Sequence, residues 1–330
     1  MTKITMRIML KSIFMLLIVT SFSFAQSKKI VYTSNQTSDG MLQIFTMNDD
    51  GSAKQQLTHV ETNCLFPKWS HDGTKITFST DDNKVYYISS EDNFLNTHYM
   101  WVGNNPIFAG SDEEIIFTSE YEGVLSIYIM GLDESEPNLM SDGHYANQMR
   151  LSPDGTKMIY SSILEAGKTA MLLDMDDSTD SSLRPISKNS DANLEPDIAA
   201  DNQSFTYAGF DNNLKGTIYS NINGVEKGLT RDMASATQPK FSPDGKKIGF
   251  ALIRNGEHVS LYTMNPDGSN RKEVYLKGGE LGLFEWVSND KILYDAENGS
   301  EYNVGIVDLG TGIATVLTNG GLNLHADLQK

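Results

Sequence analysis

The stretch Phe241-Ser242-Pro243-Asp244-Gly245-Lys246-Lys247-Ile248-Gly249-Phe250 decides the fold, because the chain repeats it. Leu151-Ser152-Pro153-Asp154-Gly155-Thr156-Lys157-Met158-Ile159-Tyr160 is a near copy, and Trp69-Ser70-His71-Asp72-Gly73-Thr74-Lys75-Ile76-Thr77-Phe78 is a third. Weaker copies begin at Phe108, Ile198 and Trp286. The six anchors are 39, 43, 47, 43 and 45 residues apart. A fixed period of about 40–45 residues is the mark of propeller blades.

Each copy reads as the same order of physical events. A short inner strand, A, ends at the anchor and enters a tight turn. In Ser-Pro-Asp-Gly the proline presets φ, the aspartate bonds the local backbone, and the glycine takes the left-handed conformation the turn exit needs. Asn202 stands where the fifth copy would have that glycine, and Asn tolerates the same conformation best after glycine. Strand B follows as Ile76-Thr77-Phe78, Ile115-Ile116-Phe117, Met158-Ile159-Tyr160, Phe205-Thr206-Tyr207, Ile248-Gly249-Phe250 and Ile292-Leu293-Tyr294. Strand C appears as Ile44-Phe45-Thr46-Met47, Ile127-Tyr128-Ile129-Met130, Leu261-Tyr262-Thr263-Met264 and Val304-Gly305-Ile306-Val307. A brief strand D is placed at Leu57-Thr58, Leu229-Thr230 and Leu317-Thr318. Alternating apolar residues bounded by Asn-, Asp- and Gly-rich turns predict an all-β chain.

The first complete strand, Ile30-Val31-Tyr32-Thr33, aligns with strand B, so the first blade lacks an inner strand. Asn323-Leu324-His325-Ala326-Asp327-Leu328 has the spacing of Cys64-Leu65-Phe66-Pro67-Lys68-Trp69 and stops before any turn motif. The expectation is therefore a seven-bladed β-propeller of four-stranded blades, its first blade closed by the C-terminal strand. Such closure removes two sheet edges. Six blades with a loose tail is the alternative count.

These motifs, Ser-Pro-Asp-Gly-Lys-Lys-Ile-Gly-Phe followed by Leu-Tyr-Thr-Met-Asn-Pro-Asp-Gly-Ser, resemble the WD40-like PD40 repeat of TolB-like propellers, over nearly all of the mature chain. The resemblance implies a non-catalytic binding platform of the bacterial envelope. Two features depart from TolB itself, which has six blades and a separate N-terminal domain. PD40 repeats are also similar to those of oligogalacturonate lyases, seven-bladed propellers that hold a divalent metal on histidines. A metal-dependent, carbohydrate-active propeller is thus the alternative function, but no ligand motif of that family matches residue by residue.

Composition narrows the partners. Of 330 residues, 43 are Asp or Glu and 26 are Lys or Arg, a net charge of −17 that disfavours a polyanion such as nucleic acid. Lys3, Arg7 and Lys11 precede an apolar run from Ile13 to Phe24, and Ser23-Phe24-Ala25 has the small residues of a cleavage site. The expected organisation is a signal peptide over 1–25 and a propeller over 26–330, periplasmic or secreted, with no transmembrane span in the mature chain. An envelope or extracellular protein, a glycan or a small ligand is the expected partner, and no cofactor is expected. Cys64 is the single cysteine, so stability must come from packing and ring closure rather than from an internal disulfide.

Chemistry-bearing residues read mostly as structure. Asp72, Asp154 and Asp244 recur once per turn and read as turn residues rather than metal ligands. The recurring Met47, Met130 and Met264 read as packing between blades. His59, His98, His144 and His325 fall in D-to-A connections or at the entrance of strand A, and no metal site is assigned to them. Three residues before each anchor stand Phe66, Asn105, Gln148, Glu195, Gln238, Leu283 and His325. The polar members Asn105, Gln148, Glu195, Gln238 and His325 are the candidate ligand-binding residues at the mouth of the central funnel. No catalytic residue is assigned, and no Gly-x-Ser-x-Gly elbow is present.

Overall fold

A computed structural model describes residues 28–329 apart from 122, 134–135, 142–143, 165–166, 176–182, 189–191 and 257. The expected signal peptide and its cleavage site lie outside the described residues. Seven four-stranded antiparallel sheets make up the described chain. Their inner strands are Cys64–Trp69, Asn104–Phe108, Ala146–Leu151, Ala192–Ile198, Ser235–Phe241, Glu280–Ser288 and Asn323–Leu328. The first six open blades 2 to 7. The seventh completes blade 1 beside Lys29–Ser34, pairing Ile30 with Leu328 and Ser34 with Asn323.

The blades pack face to face, and the core lies between them. Seven clusters of buried apolar residues each join two neighbouring blades, as Ala208, Ile218 and Leu229 of blade 5 join Phe241, Ile248 and Phe250 of blade 6. Every strand B contributes one aromatic at the same position: Tyr32, Phe78, Phe117, Tyr160, Tyr207, Phe250 and Tyr294, all fully buried. Burying a side chain of that size stabilises by about 1.5–3 kcal/mol, so seven equivalent positions form a strong and evenly shared core. Met47, Met130 and Met264 are buried in these clusters, as expected.

The turns carry the expected chemistry. Gly73, Gly155, Gly245 and Asn202 all have φ between 56° and 72°. Asp72, Asp154 and Asp244 each accept a hydrogen bond from the turn serine two residues earlier, at 2.7–2.8 Å. Neighbouring turns also lock together. Asp112 in the turn of blade 3 accepts the backbone N–H groups of His71 and Asp72 in blade 2, at 2.8 and 2.9 Å.

Two expectations are corrected. Leu57-Thr58, Leu229-Thr230 and Leu317-Thr318 do not form the outer strands, which are Gln55–Gln56, Val225–Gly228 and Ile313–Val316. Each pair sits just beyond its strand and forks onto strand C. The Leu57, Leu229 and Leu317 N–H groups donate to the carbonyls of Ile44, Ile218 and Val304. The threonine hydroxyls accept the N–H of the same three residues at 2.8–2.9 Å. A residue pair that ends a strand by side-chain hydrogen bonding leaves the same apolar-polar pattern in sequence as a short strand. The second correction is His98, which begins the outer strand His98–Val102 rather than lying in a connection. Its ring stacks on Tyr87 with centroids 4.6 Å apart.

Candidate functional site

Every inner strand is interrupted at one place. The pairing of strands A and B slips by a bulge just before the anchor in all seven blades. In six of them the residue three before the anchor has a left-handed backbone: Phe66, Asn105, Gln148, Glu195, Gln238 and His325, with φ between 51° and 55°. Proline follows four of these, as Pro67, Pro106, Pro196 and Pro239. A bulge leaves a ladder position unpaired, so proline's missing N–H costs nothing there. A left-handed non-glycine residue costs about 1–2 kcal/mol, so the surroundings must hold it in place.

For four of the six, Glu195, Gln238, Phe66 and His325, a side chain of the preceding blade accepts the N–H of the left-handed residue. Gln148 Oε1 accepts the N–H of Glu195 at 3.1 Å, and Glu195 Oε2 accepts the N–H of Gln238 at 2.7 Å and the Thr237 hydroxyl. His325 Nδ1 lies 3.5 Å from the N–H of Phe66, and the two rings stack with centroids 4.0 Å apart. Accepting at Nδ1 puts the proton of the neutral ring on Nε2. Burial lowers the His325 pKa to about 4, with Lys68 adding to the effect, so the ring is neutral near pH 7.

Leu283 cannot take this part in blade 7, and its backbone is not left-handed. Asp295 replaces it. Its Oδ2 accepts the His325 N–H at 2.8 Å. Asp295 occupies the position after the strand B aromatic, where the other blades have Thr33, Ser79, Thr118, Ser161, Ala208 and Ala251. It is buried, and burial pushes its pKa up to about 7. The sequence contains that signal, an acid in a column of small residues, but the reading by anchors passed over it.

All five candidate residues line one central cavity of about 830 Å³. They are not equally available. Gln148, Glu195 and His325 spend acceptor atoms on the neighbouring blade, whereas the Asn105 and Gln238 side chains make no hydrogen bond among the described residues. Gln238 Oε1 is buried and without a partner. Deeper along the same strands, one residue before each anchor, is a charged tier the sequence reading missed: Lys68, Arg150, Asp197, Lys240, Glu285 and Asp327, with Ile107 in blade 3. Arg150 of blade 4 reaches Glu285 of blade 7 at 2.8 Å, across the channel. Lys240 meets the same oxygen at 2.7 Å, and Lys68 meets Asp327 at 3.2 Å. Burial opposes the Glu285 charge, but Arg150, Lys240 and Lys68 overcome it and hold its pKa well below the usual range. Lys240 falls to about 8 through burial and the nearby Arg150 charge.

The histidines do not assemble. His325 lies in the channel, His98 is on an outer strand, and His59 Nδ1 contacts Gln56 at 3.0 Å. Among the described residues no three His, Cys, Asp or Glu side chains are grouped to hold a metal ion.

A family model described as the TolB beta propeller domain, PD40, matches residues 18–225. In sequence the chain is similar to dipeptidyl-peptidase 5 of Porphyromonas gingivalis, 22% identical over 311 residues that cover 86% of this chain and 45% of that protein. The chain spans about half the length of the curated relatives it matches. In structure it resembles TolB from Acinetobacter baumannii, with a TM-score of 0.57 at 14% identity, over 92% of this chain and 66% of that one. It also resembles oligogalacturonate lyase from Vibrio parahaemolyticus, with a TM-score of 0.59 at 12% identity, over 88% and 85% of the two chains. At those identities the structural likeness is one of fold.

Proposed function

The chain belongs to the TolB beta propeller domain family, and from that premise we propose that it is an exported, non-catalytic binding platform of the bacterial envelope. It is periplasmic or secreted, and it presents the mouth of its central channel to a protein, a glycan or a small ligand. The observation that carries this reading is the cavity itself, roomy at about 830 Å³ and ringed by amide side chains whose hydrogen-bonding capacity is partly unspent. A concave site with a few convergent polar groups is the usual form of a ligand pocket. The candidate proton carriers are occupied otherwise. Glu195 accepts two donors from blade 6, and the His325 imidazole is stacked and bonded to Phe66. Groups held in this way support holding a ligand better than moving a proton during turnover.

The test is capture from envelope extract with the parent protein and with an Asn105→Ala/Gln238→Ala variant. These two side chains are chosen because they do not tie blades together, so their loss leaves the ring intact. The expected result is a partner recovered by the parent and lost by a variant that still melts in one cooperative transition, lowered only by the strain alanine adds at two left-handed positions. Stoichiometric bound metal together with cleavage of a polyuronate would favour the carbohydrate-active alternative instead.

A further inference from the structure

We propose that the charged tier of the channel is a carboxylate-binding site, with Arg150 and Lys68 as its anchors. This rests on the reading of the channel as a ligand pocket and names the ligand's chemistry: a small carboxylate whose body carries hydrogen-bond donors. Three cations from blades 2, 4 and 6, Lys68, Arg150 and Lys240, converge on one cavity in a protein whose net charge is −17. They are not equally engaged. Lys240 Nζ is bonded to Glu285 at 2.7 Å and to the Phe284 carbonyl at 2.5 Å. Arg150, with five N–H donors, spends one on Glu285, and Lys68, with three, spends one on Asp327. Among the described residues neither side chain makes another hydrogen bond, although Asp197 and Asp327 also attract Arg150 and Glu285 also attracts Lys68 through space.

Partly buried donors facing a cavity call for an acceptor. The Arg150 fork suits a planar carboxylate, which it engages through two parallel N–H groups. Glu285 already engages one arm of that fork from within the protein, at 2.8 Å. It is an internal occupant that a ligand carboxylate would join or displace. Above this tier Gln238 Oε1 lacks a donor, and Asn105 stands beside the same cavity. Rotation of the Gln238 side chain, which has no hydrogen bond to break, would turn that oxygen toward a hydroxyl or amide N–H on the ligand's body. The negative field of the whole chain opposes entry of multiply charged anions, so a single carboxylate is favoured over a polyanion.

Titration calorimetry with matched probes tests the assignment. Triglycine is compared with its C-terminal amide, and glucuronate with its methyl ester. The expected result is binding of at least one free acid, about tenfold tighter than its neutral counterpart, the size of one charge-assisted hydrogen bond. Arg150→Gln should remove that preference. Glu285→Gln, which withdraws the internal competitor, should tighten the acid and leave the neutral probe unchanged. Should Arg150→Gln fail to fold, the acid-to-neutral ratio in the parent and the Glu285→Gln shift still decide. Equal binding of acid and neutral probes, or none by either, overturns the proposal. If the acids fail while envelope capture still depends on Asn105 and Gln238, the carboxylate site falls and the platform stands. If the acids bind and capture fails, the site stands and the platform role falls.

Discussion

Asp295 in blade 7 accepts the backbone N–H of His325 at 2.8 Å, and so ties the last blade to the strand that closes the first. Burial raises the Asp295 pKa from its ordinary value to about 7, against the opposing pull of two backbone donors, Lys68 and Lys240. A carboxyl with a raised folded pKa contributes stability that is complete below its unfolded value near 4 and is lost as pH rises through 7. The parent should therefore lose stability between about pH 4 and 7 relative to Asp295→Asn, by roughly 1 kcal/mol per pH unit near pH 6.5, and level off above pH 8. Urea melts of both proteins across that range measure this; parallel curves would refute it.

His325 has the opposite sign. Its folded pKa of about 4 lies below the ordinary value, so its contribution is complete above pH 6.5 and is lost as pH falls toward 4. The His325→Gln variant should be less acid-sensitive than the parent over that interval. The same urea melts, extended to pH 4, compare the two slopes.

Deleting Gly321 to Lys330 removes the inner strand of blade 1 and with it the Lys68–Asp327 ion pair, the Asp327 acceptor for the Trp69 N–H and the Gln329 bond to the Gly73 carbonyl. Two blades lose a packed edge at once. We expect a loss of several kcal/mol, seen as a fall of about 10 °C or more in melting temperature for a chain of this size. An unchanged melt would mean that ring closure does not stabilise the fold.

Thr230 Oγ1 accepts the N–H of Ile218 at 2.9 Å with both groups buried. Thr230→Val keeps the shape and leaves that N–H unsatisfied, at a cost of about 1–3 kcal/mol. Thr74→Val, in an exposed turn, serves as the control and should cost less. Denaturant midpoints of the two variants give the comparison.

Cys64 is buried between blades 1 and 2, and burial pushes its thiol pKa up to about 12. The reactive thiolate is scarce and shielded, so a thiol reagent at pH 8 should leave the native protein unlabelled and modify one cysteine after denaturation. Mass spectrometry of native and unfolded samples reads this directly.

The repeat made the architecture legible. A turn motif recurring every 39–47 residues, an aromatic in each strand B and a C-terminal copy without a turn were sufficient to predict seven blades and their closure. They were sufficient because each signal is local: turn residues encode φ, and alternation encodes the buried face. The five candidate positions were placed in the same way, by register from the anchors, and they line one cavity. That register did not reveal that Gln148, Glu195 and His325 tie blades together, nor that Asp295 substitutes for Leu283, because those partners are 30 to 259 residues apart in the chain. The charged tier was hidden for the same reason. Lys68, Arg150, Lys240 and Glu285 lie in four different repeats, each an unremarked charge beside an apolar anchor. Only closing the ring brings them into one channel, where burial and mutual attraction turn four separate charges into a site.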